Sequence, residues 1–217
     1  VTSCRIGCCA CWHIGRNASQ NGQAGFGGVK GITTSARHPG TKSCLAPVYR
    51  ADASILILGS LPGDQSLSHQ QYYAHPQNQF WRLLSAVIGV DLAGVTYEQK
   101  LRLLQKHNIA LWDVVATAVR SGSLDTNLRQ VVGNDLIGLV ARLPKLQAIA
   151  FNGATAAKVG RLAGLRTGIK LLDLPSSSPA YTIRFADKLL RWQTLKDYLH
   201  TPEPTLDDAV ISRTREI

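Results

Sequence analysis

Side-chain amides, carboxylates and hydroxyls stand directly after apolar runs in this chain, where they are placed to take part in chemistry. Asp113 ends the run IALW, and Asn152 follows the run LQAIAF. Asn78 lies in the aromatic stretch YYAHPQNQFW, and a serine cluster lies between two prolines in LPSSSPA: Ser176, Ser177 and Ser178. Each group has an ordinary structural alternative, which is a helix cap for the amides, an ion pair for Asp113 and a turn for the serines.

The apolar runs predict the elements that position these groups. Short runs over residues 54–59, 109–115, 146–151 and 169–175 predict buried strands. Amphipathic stretches predict helices over 78–89, 96–108, 133–144, 152–164 and 182–199, with Thr96 and Gln99 as a capping box and Asn134 as the N-cap of the third. Strands that alternate with helices predict an α/β fold, namely a short central four-stranded parallel sheet with helices on both faces.

The carboxyl ends of parallel strands form the usual ligand edge of such a sheet. That edge gathers Asp113, Asn152, the serine cluster and a loop with the sequence GSLPG: Gly59, Ser60, Leu61, Pro62 and Gly63. The glycines permit close backbone approach, and outward amides could hold a phosphate or a developing anion. A plain strand-to-helix turn is the alternative, and the Gly-Lys-Ser/Thr ending of a P-loop is absent.

Composition restricts the partners. The 217 residues include 24 Lys and Arg against 14 Asp and Glu, which gives a net charge of +10. Such a charge favours a polyanion, usually nucleic acid, although a basic protein without an anionic ligand is the alternative. No apolar run approaches the length of a membrane span. All five cysteines lie at or before Cys44, without the paired spacing of a zinc site, so we predict no metal.

The same pass along the chain divides it into three parts. Residues 1–48 lack hydrophobic periodicity and predict a disordered N-terminal extension. Residues 49–200 hold all the predicted strands and helices, and residues 201–217 predict a flexible tail.

Five segments in this order, GSLPG, YYAHPQNQFW, ALWDVV, AFNG and LPSSSPA, resemble the uracil-DNA glycosylase superfamily and especially its hypoxanthine-DNA (deoxyinosine) glycosylase branch. The resemblance covers residues 49–199. It implies a three-layer α/β/α fold and a monofunctional, cofactor-free enzyme that flips a deaminated base out of DNA and hydrolyses its N-glycosidic bond. It further implies a monomer that acts on DNA in the cytoplasm, at the nucleoid.

The resemblance also implies roles for residues. Asn78 and Asn152 are implied to be catalytic, Tyr73 to stack on the flipped base, and the serine cluster to grip the DNA backbone. The GSLPG loop, His75 and Asp113 are implied to contact the substrate. Leu61 departs from the pattern, because most relatives carry Asp, Asn or Glu there to handle water. The resemblance therefore implies that Asn78 replaces this group and positions the water. Leu174 stands where the second motif usually follows His or Asn, so the usual side-chain stabiliser of the departing base is missing as well.

Three other functions remain open at this level. A uracil- or mismatch-specific glycosylase would use the same segments. A DNA-binding relative without catalysis is motivated by Leu61 and Leu174, and it would bind DNA without forming abasic product. A small-molecule hydrolase would use Ser60 or the serine cluster, although no nucleophile-elbow pattern surrounds those serines.

Overall fold

A computed structural model describes residues 40–164 and 168–199. Its strands in chain order are β1 (Thr41–Ser43), β2 (Ile55–Gly59), β3 (Ile109–Asp113), β4 (Val115–Val119), β5 (Arg129–Gly133), β6 (Ala148–Asn152) and β7 (Lys170–Leu174). Its α-helices are α1 (Asp64–His69), α2 (Phe80–Ile88), α3 (Tyr97–Lys106), α4 (Leu136–Ala141), α5 (Ala154–Arg161) and α6 (Phe185–Trp192). Short 3-10 helices cover Asp125–Asn127 and Gln193–Tyr198.

The four predicted strands form one parallel sheet in the order β3-β2-β6-β7. All five residues of β2 are buried, because both faces of this central strand are covered. Ile55 and Ile57 pack in one core with side chains of α2, α3 and α6. Leu56 and Leu58 pack in a second core with side chains of α4 and α5. The predicted α/β architecture, a parallel sheet between layers of helices, is therefore confirmed.

Local capping explains where two helices begin. At α3 the predicted capping box is present, since Gln99 N–H donates to Thr96 Oγ1 at 3.4 Å and Thr96 N–H donates to Gln99 Oε1 at 2.8 Å. At α4 the prediction of Asn134 as N-cap is wrong, and the cap is Asp135. The Asp135 carboxylate accepts from the N–H of Gly138, whereas the Asn134 side chain donates to the carbonyl of Asp113.

A second, antiparallel sheet in the order β1-β4-β5 was not predicted. The predicted strand 109–115 ends early, because β3 stops at Asp113 and Val115 already belongs to β4 in the other sheet. Residues 41–43 pair with β4, and Leu45 is buried in a core, so the folded part begins before residue 49. Residues 1–39 and 200–217, most of the predicted extension and tail, lie outside the described residues.

None of the described helices is long and apolar enough to cross a membrane.

Candidate active site

The loop Gly59–Gly63 leaves β2 with its carbonyl oxygens bound by the rest of the protein. Val114 N–H donates to the Gly59 carbonyl at 2.8 Å, and Val115 N–H donates to the Ser60 carbonyl at 3.1 Å. These two donors lie at the point where the chain passes from β3 into β4. The start of the antiparallel sheet therefore fixes the first half of the loop.

Arg120 fixes the second half of the loop. Its side chain is fully buried, and its guanidinium donates to the carbonyl of Leu61 at 3.1 Å and to the carbonyl of Pro62. A guanidinium offers several donors in a rigid plane, so one side chain can bind two neighbouring carbonyls. Arg120 stands directly after β4 and was not singled out from the sequence.

The loop amides point away from these donors. A trans peptide unit directs its N–H opposite to its carbonyl, and the described residues contain no cis peptide bond. Within the described part of the chain, the N–H groups of Ser60, Leu61 and Gly63 have no acceptor. Three unpaired backbone N–H groups in one tight loop are chemically able to bind an anion or a developing negative charge.

The side chains of this loop serve the protein interior. Leu61 is 5% exposed and packs into the core beneath α4 and α5, so it can meet a ligand only through its backbone. Pro62 is buried as well. Ser60 Oγ donates to Asp125 Oδ1 at 2.7 Å, which ties the loop to the 3-10 helix after β4. Of the predicted GSLPG contacts, those at Leu61 and Pro62 are therefore restricted to backbone atoms.

Gly59 marks the point where the predicted ligand groups converge. A Cβ atom at this position would lie 2.6 Å from Asp113 Oδ1 and 2.9 Å from the hydroxyl oxygen of Tyr73. Any larger residue would force Asp113 or Tyr73 to move, because Cβ contacts below 3.0 Å are essentially never observed. The structure thus brings together Gly59, Asp113 and Tyr73, which are far apart in the sequence.

Tyr73 is held rigidly. Its backbone has a left-handed φ of 54°, and its ring stacks on Phe80 with centroids 3.7 Å apart and planes inclined by 11°. Phe80 is fully buried, and Tyr72 packs inward with 3% exposure, whereas Tyr73 is half-buried. Phe80 covers one face of the Tyr73 ring, so stacking on a flat ligand is restricted to the opposite face.

Asn152 lies at the end of β6 with its hydrogen-bonding capacity used inside the protein. Its Oδ1 accepts from Ser177 N–H at 2.8 Å. Its Nδ2 donates to Ser177 Oγ at 2.9 Å and to the Tyr73 hydroxyl at 3.1 Å. The amide therefore locks the serine cluster to the stacking ring, and it is placed to position other groups.

The serine cluster is only partly available to a ligand. Ser177 is fully buried against Asn152, while Ser176 and Ser178 are half-buried. The Ser177 carbonyl accepts from Gln79 N–H at 3.0 Å, so the cluster also contacts the turn that carries Asn78. Of the three predicted DNA contacts, Ser176 and Ser178 are the accessible ones.

Asn78 and His75 share the turn before α2. Asn78 Oδ1 accepts from Phe80 N–H at 3.0 Å, which holds the half-buried amide at the start of the helix. The His75 carbonyl accepts from Asn78 N–H at 2.9 Å, and His75 Nδ1 lies 3.2 Å from the N–H of Gln77. The Asn78 NH₂ group donates to no other described residue, so it remains for a water molecule or a sugar.

Asp113 has the most perturbed carboxyl group at this edge. It is 3% exposed, and no described group donates to its Oδ2. Burial, followed by the neighbouring charge of Asp125, raises the pKa of Asp113 to about 7. The Tyr72 side chain, by hydrogen bonding, and then the charge of Arg120 oppose this rise in pKa only in part.

Asp125 is a site residue that sequence reasoning missed. It lies in the loop between β4 and β5, where it accepts the Ser60 hydrogen bond and stands 3.9 Å from the Arg120 guanidinium. Burial raises the pKa of Asp125, and the Ser60 hydrogen bond and Arg120 oppose this shift. No periodic pattern marked the segment, because the small residues of β4 conceal its strand.

Metal chemistry has no evident ligands here. No group of three or more His, Cys, Asp or Glu side chains suited to a metal ion occurs in residues 40–164 and 168–199.

Comparison with known proteins places these segments in a family. A sequence model of the Uracil DNA glycosylase superfamily matches residues 46–199. A protein of Methanosarcina acetivorans named Hypoxanthine DNA glycosylase is 45% identical over 134 residues, which are 61% of this chain and 84% of that protein. One of the same name from Methanosarcina barkeri is 43% identical over 112 residues, 52% of this chain and 71% of that protein.

A solved structure agrees with the sequence matches. The solution NMR structure of a Methanosarcina acetivorans protein, described as a candidate uracil DNA glycosylase, superimposes with a TM-score of 0.65 and 39% sequence identity. The superposition covers 72% of this chain and 96% of that structure. The family model, over residues 46–199, spans the four-stranded parallel sheet and the loops at its carboxyl edge.

Proposed function

We propose that this chain, which belongs to the Uracil DNA glycosylase superfamily, is a monofunctional DNA glycosylase that removes deaminated bases, chiefly hypoxanthine, and leaves an abasic site. The convergence of a half-buried ring, a buried carboxyl group and unpaired backbone amides beside Gly59 carries this proposal. A flat, polar base with a developing negative charge matches these three features. The relatives named Hypoxanthine DNA glycosylase support hypoxanthine as the base.

The loop amides supply the electrostatic part of the reaction. Hydrolysis breaks the bond between the sugar C1′ and the base nitrogen, and the electron pair leaves with the base. The N–H groups of Ser60, Leu61 and Gly63 would stabilise that charge, a kind of interaction whose loss costs about 10²–10³-fold in rate. The buried Leu61 side chain cannot deprotonate water, so the path is dissociative, with bond breaking ahead of attack.

Asn78 orients the attacking water in this proposal. Its amide is fixed by the Phe80 N–H, and its NH₂ group donates to no described residue. An amide is a weak base, so its contribution comes from position rather than from proton transfer. Asn152 supports the reaction indirectly, because its side chain positions both the Tyr73 hydroxyl and Ser177.

The DNA partner fits the charge of the chain. A formal charge of +10 attracts the phosphate backbone at long range. Ser176 and Ser178, with the backbone of their loop, are the proposed phosphate contacts, and the buried Ser177 shapes the loop. We further propose that the enzyme acts as a monomer in the cytoplasm, on nucleoid DNA.

A strand-cleavage assay tests the proposal. Duplexes carrying one hypoxanthine, uracil or xanthine are incubated with excess enzyme, treated with alkali and resolved on a denaturing gel. We expect alkali-dependent cleavage at hypoxanthine first. Faster excision of uracil under the same conditions would contradict the preference. Tight, salt-sensitive binding without any cleavage would replace the glycosylase with a DNA-binding protein.

Asn78→Ala in the same assay tests the proposed water-positioning group. We expect the single-turnover rate to fall by about 10²-fold or more, on the scale of a key polar group. Gln105→Ala is the matched control, because it removes an amide from α3 just before the opposite edge of the sheet. Near-normal excision by Asn78→Ala would remove Asn78 from the mechanism.

A further inference from the structure

A buried carboxyl oxygen at the candidate site has no hydrogen-bond donor among residues 40–164 and 168–199. Asp113 ends β3 with 3% exposure, and no described group donates to its Oδ2. A buried polar atom without a hydrogen bond costs the folded protein free energy, because it has lost its contacts with water. A ligand atom that reached Oδ2 would recover this energy. The atom therefore points to a ligand contact more directly than any satisfied group nearby.

The backbone around Asp113 is shaped for such a contact. Oδ1 occupies the space that a side chain at position 59 would take, beside the Tyr73 hydroxyl. Both groups lie at the carboxyl edge of the sheet, beside the loop whose N–H groups are unpaired. A flipped base held by this loop and by the Tyr73 ring would bring its polar edge to Asp113.

The groups around Asp113 determine its protonation. Its charged and titratable neighbours come from three segments: Tyr72 and Tyr73 before α2, Arg120 and Asp125 after β4, and Cys44 after β1. Arg120 is committed to the loop carbonyls and to Asp125, so it compensates Asp113 only weakly. With a pKa near 7, Asp113 keeps a proton in a large share of molecules at neutral pH.

We infer that Asp113 is the general acid of this site and donates its carboxyl proton to the departing base. This inference rests on the proposed glycosylase function. The C1′–N9 bond breaks with its electron pair on the base, and the O–H bond of Asp113 breaks as the proton passes to a nitrogen or oxygen of that base. Water forms the new bond to C1′ and releases its proton to solvent, from which the Asp113 carboxylate is reprotonated.

The alternative role for Asp113 predicts the opposite dependence of activity on pH. An ionised carboxylate could accept the ring N–H of hypoxanthine and act only in recognition. It would, however, stand beside a base that becomes negative as it leaves, which opposes the reaction. A general acid loses activity as pH rises through its pKa, whereas an ionised acceptor gains activity over the same range.

The pH dependence of single-turnover excision from a deoxyinosine duplex distinguishes the two roles. Between about pH 5.5 and 9 we expect the wild-type rate to fall tenfold per unit above about pH 7, where the acid becomes ionised. Asp113→Asn should be about 10²-fold slower at pH 6 and flat at higher pH. Asp125→Asn removes a like charge and should move the falling limb to lower pH. Asp91→Asn, an exposed control, should keep the wild-type curve.

The outcomes distinguish failure of the general acid from failure of the proposed glycosylase function. A wild-type rate that rises through pH 7, or a falling limb that survives Asp113→Asn, overturns the general acid while the glycosylase stands. If circular dichroism shows that Asp113→Asn does not fold, Asp125→Asn provides the test instead. A pH–rate curve of Asp125→Asn that falls at the same pH as the wild type then overturns the general acid. A wild-type enzyme that releases no hypoxanthine, uracil or xanthine overturns the glycosylase, and the general acid falls with it.

Discussion

Asn152 and Asp113 end the two strands that flank β2, and they differ in how their polar atoms are used. Both are buried, with 9% and 3% exposure. Asn152 makes three hydrogen bonds inside the protein, whereas Asp113 leaves Oδ2 without a partner among the described residues. The difference teaches that position at the ligand edge does not decide function. A satisfied group holds the site together, and an unsatisfied one is kept for the ligand.

Of the substitutions that test this difference, Gly59→Ala should have the largest effect on excision. The new Cβ would fall 2.6 Å from Asp113 Oδ1 and 2.9 Å from the Tyr73 hydroxyl, so it fills the space that both groups share. We expect excision to fall by about 10²-fold or more, on the scale of losing a preorganised polar group. Affinity for undamaged duplex should stay near normal in a filter-binding titration.

Gly133→Ala controls for the substitution itself, since a Cβ there meets only a carbonyl at 3.8 Å. Normal excision by Gly59→Ala would show that the base does not enter beside Asp113.

Asn152→Ala tests whether the fully hydrogen-bonded amide of Asn152 stabilises the fold. It leaves the buried Ser177 N–H without an acceptor and frees the Tyr73 hydroxyl, so unfolding free energy should fall by about 2–4 kcal/mol. Urea denaturation followed by circular dichroism measures this loss. A loss under about 1 kcal/mol together with abolished excision would assign Asn152 to the substrate and not to support.

For Asp113, whose Oδ2 lacks a partner among the described residues, we expect a smaller effect on the free energy of unfolding, and one of opposite sign at high pH. The pKa of Asp113 rises from 3.8 to about 7 on folding, so the folded state binds the extra proton and wild-type stability falls as pH rises between these values. From pH 5 to 8 we expect a loss of about 2–3 kcal/mol, at about 1.4 kcal/mol for each pH unit below 7. Asp113→Asn lacks this slope and should be the more stable protein at pH 8.

Urea titrations of both proteins at pH 5 and 8 measure the difference. Parallel stability changes in the two would show that Asp113 titrates as it does in the unfolded chain.

The sequence predicted the parts of the fold that local patterns encode. Four apolar runs identified the parallel sheet, and the rule for its carboxyl edge brought Asp113, Asn152 and the GSLPG loop together before any coordinates. The pairing of β1 with β4 was not predictable, since TKS and VATAV carry no local hydrophobic pattern and form strands only through pairing within the antiparallel sheet. Arg120 and Asp125 depend on that pairing, so their contacts with the loop could not be foreseen either. The cap at α4 was misplaced by one residue because Asn134 and Asp135 are both good caps.

The bound carbonyls of Gly59–Gly63 have an electrical consequence. Each peptide unit is a small dipole, and fixing its oxygen inward turns its positive end outward. A helix produces such a field by stacking many peptide units, whereas this loop produces it in five residues, with Arg120 and the edge of β4 as the frame. The field is therefore set by residues that never meet the base, and its strength could be tuned from the buried side of the protein.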